Sequence, residues 1–208
     1  MGLSIVSGRR ARQLSQADGP GNLSQAGRSL RLMFNPALTG FAVDDLDWLR
    51  NELNFAAHLE LDPWGSLIVS PTTDEHEIAA AALARQSIAQ LSHVISVNGF
   101  AWTVPGGTGY LMKPDLIVLA RGWRRVDELH FDPAPLLVIE IASPSTRHVD
   151  RSRKLADYHL GGAGLYLLVD PPATFELHDF AAGRVTQATG TIDLVVGGQP
   201  LHLSLPPA

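Results

Sequence analysis

In "VDDLDWLRNELNFAAHL" apolar residues recur at helical spacing behind acidic first-turn side chains, which the helix dipole favours, so a helix is expected from about 44 to 57. "HLELD" and "SLIVSP" flank Pro63, Trp64 and Gly65 as the arms of a short hairpin. "TTDEHEIAAAALARQSIAQLS" puts Thr72 and Glu75 at capping-box spacing ahead of an alanine-rich stretch, which predicts a second helix. "HVISV", "FAWTV" and "DLIVLA" read as strands, the last two separated by a Gly-rich turn at 105 to 109. The loop "RGWRRVDELHFDPAP" leads to a further strand in "PLLVIEIA", and "VDRSRKLADYHLGG" predicts a helix of about three turns ended by Gly161 and Gly162. "LYLLVD", "TFELHDF", "RVTQA" and "IDLVV" make the C-terminal end strand-rich. Helix, strands, helix, strands is the order of an α/β or α+β protein built around one sheet.

The first 32 residues fit none of these patterns. They mix Gly, Ser, Gln, Arg and Pro without apolar periodicity, so a disordered extension over 1–32 and a single domain over 33–208 are expected. Charge divides along the same line: the extension holds five arginines against Asp18, a net of +4, and leaves −9 on the rest of a chain whose total is −5. An acidic body is a poor general polyanion binder, so any nucleic-acid contact has to be local. With 45% hydrophobic and 18% charged residues, and no run near the roughly 18 apolar residues of a membrane span, no membrane role is expected. The absence of cysteine excludes disulfides, thiolate metal sites and cysteine nucleophiles, and a cytoplasmic location is the expectation.

The chemistry starts from Glu140, a carboxylate inside an apolar, β-branched run. An isolated buried carboxylate costs several kcal/mol unless it is neutralised, hydrogen-bonded or metal-bound. Asp115 opens "DLIVLA" 25 residues earlier. If the two strands are antiparallel neighbours, Asp115 and Glu140 share one end of the sheet, and a pair of hard oxygen ligands suits Mg²⁺ or Mn²⁺. Lys154, one of two lysines, follows Asp150 and precedes Tyr158 at four-residue steps, so the three lie along one side of their helix. Its ammonium is suited to holding a water or stabilising charge on a phosphoryl oxygen. No GxSxG elbow or phosphate-binding loop is present, and "HEIAA" at His76 lacks the second histidine of a zinc protease motif.

"KPDLIVLA", "PLLVIEIASPST", "VDRSRKLADY" and "LYLLVDP", in that order, resemble the Uma-two type of restriction endonucleases within the PD-(D/E)XK nuclease superfamily. Upstream, "LELDPWGSLIVSP" and "DEHEIAAAAL" are similar to that family's entry hairpin and first long helix, and the likeness spans roughly residues 58 to 178. The resemblance implies a restriction-endonuclease-like fold, a mixed central sheet flanked by helices, and metal-dependent DNA cleavage. It implies that Asp115, Glu140 and the Ile141 backbone carbonyl hold the metal and that Lys154 is catalytic. The superfamily's lysine position two residues after the glutamate is Ala142 here; in the Uma-two type the lysine is carried on the following helix, which matches Lys154. Supporting parts fall to His76, Glu60, Glu77, Asp150 and Tyr158.

Plainer readings stand beside these. Asp115 can cap a turn after Pro114, Glu140 can face solvent at a bend, Asp150 and Lys154 can form an exposed helix pair, and His76 and Tyr158 can be packing residues. The basic clusters Arg121, Trp123, Arg124, Arg125 and Arg147, Arg151 are either solvated faces or, if they flank the carboxylates, DNA contacts. A DNA endonuclease is the leading expectation. A catalytically silent binding module of the same fold, or a hydrolase of RNA or small phosphoesters, are the alternatives. The C-terminal "LHLSL" offers a strand that can pair across a homodimer.

Overall fold

The computed structural model describes residues 4–7, 10–13, 15–16, 30–33, 57–61, 67–71, 73–97, 102–104, 106–107, 111–127, 130–143, 146–172 and 174–205. The chain divides into two units, Met1–Thr72 and Thr73–Ala208.

In the first unit, β1 (Ser4–Ser7) and β2 (Arg10–Gln13) pair antiparallel. A four-stranded sheet has the order β3 (Ser15–Gln16), β4 (Leu30–Met33), β6 (Leu67–Pro71), β5 (Ala57–Leu61). The β5–β6 pairing is the expected hairpin, with Glu60 opposite Ile68. The described segments 4–7, 10–13 and 30–33 fall within or at the end of the stretch expected over 1–32, and "SIVS" and "LRLM" contain β-favouring or apolar residues. The helix expected over about 44 to 57 lies outside the described residues, apart from Ala57, which opens β5.

The second unit opens with α1 (Asp74–Gln90). Its cap is Thr73, whose side chain accepts the His76 N–H, so the helix starts one residue later than the Thr72–Glu75 spacing predicts. A six-stranded sheet follows, in the order β14 (Arg184–Thr189), β13 (Thr174–Asp179), β12 (Leu165–Asp170), β11 (Leu137–Ile141), β8 (Leu116–Leu119), β7 (Val94–Val97). β11 and β12 run parallel and every other neighbouring pair antiparallel, so the sheet is mixed, as expected. Among its described residues, "FAWTV" contributes an isolated bridge, Trp102 to Met112. The hairpin β9 (Arg124–Asp127) and β10 (His130–Asp132) rises from the loop between β8 and β11.

Strand alternation sorts the two faces of this sheet. Leu116, Val118, Leu137, Ile139, Ile141, Leu167, Val169, Phe175 and Leu177 point to one face and form the core with Ala79, Ala80, Leu83 and Ala84 of α1. The last hairpin, β15 (Thr191–Val196) with β16 (Gln199–Ser204), closes that core through Ile192, Leu194, Val196, Leu201 and Leu203. The opposite parity, Asp115, Ile117, Val138, Glu140, Tyr166 and Leu168, faces away from this core.

β16 contains Leu201–Ser204 of the "LHLSL" segment. One edge pairs with β15, while Gln86 and Gln90 of α1 bond the other: each glutamine accepts a strand N–H, from Ser204 at 2.8 Å and His202 at 2.9 Å, and donates to a carbonyl of the same residue. The His202 and Ser204 backbone groups on that edge are thus bonded within the chain.

Candidate functional site

Asp115 directly precedes β8, and Glu140 lies in β11. Their strands pair antiparallel with Ile139 opposite Leu116 and Val138 opposite Ile117, a register that carried one step further sets Glu140 opposite Asp115. The strand relationship expected from the sequence is therefore present. Side chains of directly opposed residues share a face, with Cβ atoms about 4.5 to 5.5 Å apart. Both residues are buried, which removes the readings of a turn cap in solvent and of a solvent-facing bend.

Each carboxylate is held by donors. Asp115 Oδ2 accepts the backbone N–H of Ile141 at 2.7 Å, and Oδ1 lies 3.1 Å from His76 Nε2 in the first turn of α1. Glu140 Oε1 accepts from the Tyr158 hydroxyl at 2.5 Å and from Lys154 Nζ at 3.2 Å. Lys154 also sits 3.1 Å from Asp150 Oδ1, so one buried ammonium joins two buried carboxylates. The exposed-helix-pair reading of Asp150 and Lys154 is corrected accordingly.

These residues come from a helical segment with a change of pitch. It begins as α2 (Arg147–Val149), widens into a π-type turn over Asp150–Lys154, and continues as α3 (Leu155–Leu160). π-turns recur at functional sites because they re-aim side chains that a regular helix would place elsewhere. The wide turn begins and ends on Asp150 and Lys154, the two residues that turn inward. The Tyr166 hydroxyl, from β12, donates to the Asp150 carbonyl at 3.1 Å. Regular α-helical periodicity could not show this turn, and Tyr166 was not among the residues the sequence singles out; its parity with Glu140 across β11 and β12 was the available signal.

The surroundings set the protonation states. Burial alone lowers the His76 pKa, but the hydrogen bond and charge of Asp115, with the charges of Glu77 and Asp150, outweigh it and leave it raised. Burial, reinforced by the charge of Glu140, pushes the Tyr158 hydroxyl well above its ordinary value, and burial with Glu140 and Asp150 does the same to Tyr166. Both tyrosines stay protonated donors and cannot serve as bases near neutral pH.

The remaining candidates divide. Glu60 is buried on β5 of the first unit, and Glu77 is exposed on α1. Arg121 leaves the end of β8 remote from Asp115 and donates to the Ser92 carbonyl at 2.6 Å. Six residues at about 3.3 Å each separate it from Asp115 along the strand direction. Arg124 bonds Asp132 across the β9–β10 hairpin, Trp123 packs edge-on against Phe131, and the Arg125 side chain lies outside the described residues. The first basic cluster thus does not open beside the carboxylates, because an antiparallel connection necessarily starts at the far end of its strand. Arg147 and Arg151 do reach the right end: both approach Asp170, whose neighbour Val169 pairs with Ile141.

The Asp115 and Glu140 side chains are both hard oxygen donors. They supply carboxylate oxygens from opposed positions, the chemistry that Mg²⁺ and Mn²⁺ prefer. No helix of the described residues is long and apolar enough to cross a membrane.

A family model described as "Putative restriction endonuclease" matches residues 46–180, a span that includes Asp115, Glu140 and the whole π-turn. The chain is also similar to a crystal structure titled as a "putative nuclease belonging to DUF820" from Anabaena variabilis, at 17% identity and TM-score 0.48, covering 72% of this chain and 84% of that one. No curated protein matches it.

Proposed function

The chain belongs to the Uma2 family of restriction endonucleases, and from that premise we propose that it is a divalent-metal-dependent endonuclease hydrolysing DNA phosphodiester bonds. The observation that carries the reading is the buried triad in which Glu140 opposes Asp115 in register and meets Lys154 at 3.2 Å. Asp115, Glu140 and the Ile141 carbonyl would hold the Mg²⁺ or Mn²⁺ ion. When bound, such an ion supplies Lewis-acid polarisation of the phosphate and lowers the pKa of attached water.

The chain's own residues do the rest. His76 and the Ile141 N–H fix the two oxygens of Asp115, and Tyr158 fixes Glu140 Oε1. Lys154, held by Glu140 and Asp150, orients the attacking water and offsets negative charge developing on the phosphoryl oxygens. Burial of the site makes those interactions stronger than they would be in water.

The same closed ring supports a second reading, a non-catalytic DNA-binding module, since Lys154 is already engaged by two carboxylates. Plasmid nicking with Mn²⁺, comparing wild type with Glu140→Gln and Lys154→Met, separates the two. Nicking by wild type that both variants lose supports the nuclease. Manganese-dependent thermal stabilisation with no nicking supports the module, and equal nicking by all three defeats the site.

A further inference from the structure

At the end of the sheet where Glu140 and Asp115 meet, one carboxylate spans two guanidinium groups. Asp170 Oδ1 lies 2.6 Å from Arg147 Nη2, and Asp170 Oδ2 lies 3.6 Å from Arg151 Nη2. Arg151 also points its Nε at Glu176 Oε2, 3.6 Å away, and Glu176 is steadied by His178 at 2.9 Å and Gln187 at 3.3 Å. Both arginines stand on the helical segment that supplies Asp150 and Lys154, and Asp170 directly follows the residue paired with Ile141.

Two planar guanidinium groups sharing the two oxygens of one oxyanion is the arrangement in which arginines grip a phosphodiester. The arginines are 45% and 37% exposed, against 18% for Asp170, so their outer sides are open to a ligand while their inner sides rest on the acid. The exposure of the arginines keeps these ion pairs weak enough for an incoming phosphate to compete with Asp170 for them. In an acidic body, two adjacent and partly exposed guanidinium groups offer a backbone phosphate a local partner even though Asp170 and Glu176 balance their charge.

We propose that Arg147 and Arg151 form a phosphate-binding subsite for the DNA strand running past the carboxylate pair, with Asp170 as the internal anion that the phosphate displaces. This rests on the nuclease reading for its ligand, but its measurement does not depend on cleavage. The subsite grips a phosphate flanking the scissile one and reads backbone, not sequence.

The test is fluorescence anisotropy of a short labelled DNA duplex titrated with the full chain in EDTA buffer over a series of salt concentrations. Arg147→Gln combined with Arg151→Gln should weaken binding on the order of tenfold and make the log affinity against log salt line shallower by about 1 to 2. Asp170→Asn should tighten binding several-fold, since the phosphate no longer competes with a carboxylate. Circular dichroism melts establish that the variants fold, and Arg147→Gln alone, a surface change, carries the test if Asp170→Asn does not. Unchanged affinity and slope in the arginine variants, or weaker binding by a folded Asp170→Asn, overturns the subsite, as does a wild type that binds no duplex. Wild type that binds with this pattern but never nicks plasmid leaves the subsite standing and removes only the catalytic reading.

Discussion

Lys154 and Glu140 meet at 3.2 Å with side chains only 4% and 5% exposed. The same ammonium lies 3.1 Å from Asp150. This arrangement explains how an apolar strand tolerates a carboxylate: the charge is not left alone, but is met by Lys154 on the helical segment, 14 residues further along the chain. The strand and the helix depend on each other, so their shared stability is exposed to single substitutions.

Replacing Lys154 with Met should therefore be costly. Removing one partner of a buried ion pair leaves an uncompensated charge and typically costs about 3 to 5 kcal/mol. Urea unfolding of the metal-free protein near neutral pH should show a loss of that order. Combining Lys154→Met with Glu140→Gln should recover part of it, because the orphaned charge is gone. A single variant as stable as wild type would mean that water reaches the pair.

Tyr166 should hold the π-type turn in place. Its hydroxyl meets the Asp150 carbonyl at 3.1 Å inside the protein, and an unsatisfied buried acceptor costs about 1 to 3 kcal/mol. Tyr166→Phe keeps the ring packing against Tyr158, whose centroid lies 5.2 Å away, and deletes only the bond. Stability should fall within that range, and amide hydrogen exchange over residues 150–155 should quicken. Unaltered exchange would assign the turn to packing alone.

The sheet was legible because strand burial leaves period-two and continuous apolar signatures: β8, β11 and β12 sit where "DLIVLA", "LLVIEIA" and "LYLLVD" predict them. Asp115 and Glu140 stood out as charges at buried positions, and the antiparallel arrangement needed to bring them together is observed. Three features were not legible. The π-turn is a local departure from 3.6-residue periodicity, so sequence spacing left an exposed Asp150–Lys154 pair open beside the inward-facing arrangement that the structure has. The α1 glutamines that seal β16 act across 112 to 118 residues of sequence, a range over which no local pattern speaks. "RGWRR" is close to Asp115 in sequence but leaves from the opposite strand end, which chain direction decides and composition does not.

Two adjacent glycines end the helical segment for different reasons. Gly162 has φ of +77°, a left-handed conformation that penalises a side chain by roughly 1 to 2 kcal/mol. Gly161 has φ of −72°, which any residue accepts, but a Cβ there would stand 2.7 Å from Trp102 and 2.8 Å from Val104. Gly161→Ala should thus cost about 1 to 3 kcal/mol through overpacking. Substituting Val104 with Ala should relieve the part of it that Val104 causes, leaving the Trp102 contact, while the same change should not rescue Gly162→Ala. Thermal melts of the four variants check this; rescue of both glycines alike would contradict the distinction.

His76 should give the metal-free protein a pH-dependent increment of stability. Its pKa is raised in the folded state from the ordinary 6.5, burial opposing the shift and the Asp115 hydrogen bond and charge overcoming it. The folded state therefore binds the proton more tightly than the unfolded chain. The increment is fully present below about 6.5, the unfolded value, and disappears as pH rises through the folded value. His76→Gln keeps a donor for Asp115 but cannot titrate. The stability difference between wild type and this variant, followed by urea unfolding in EDTA from about pH 5 upward, should shrink as pH rises and then level off. A difference that grows with pH would mean that folding lowers the imidazole pKa, with burial and not Asp115 in control.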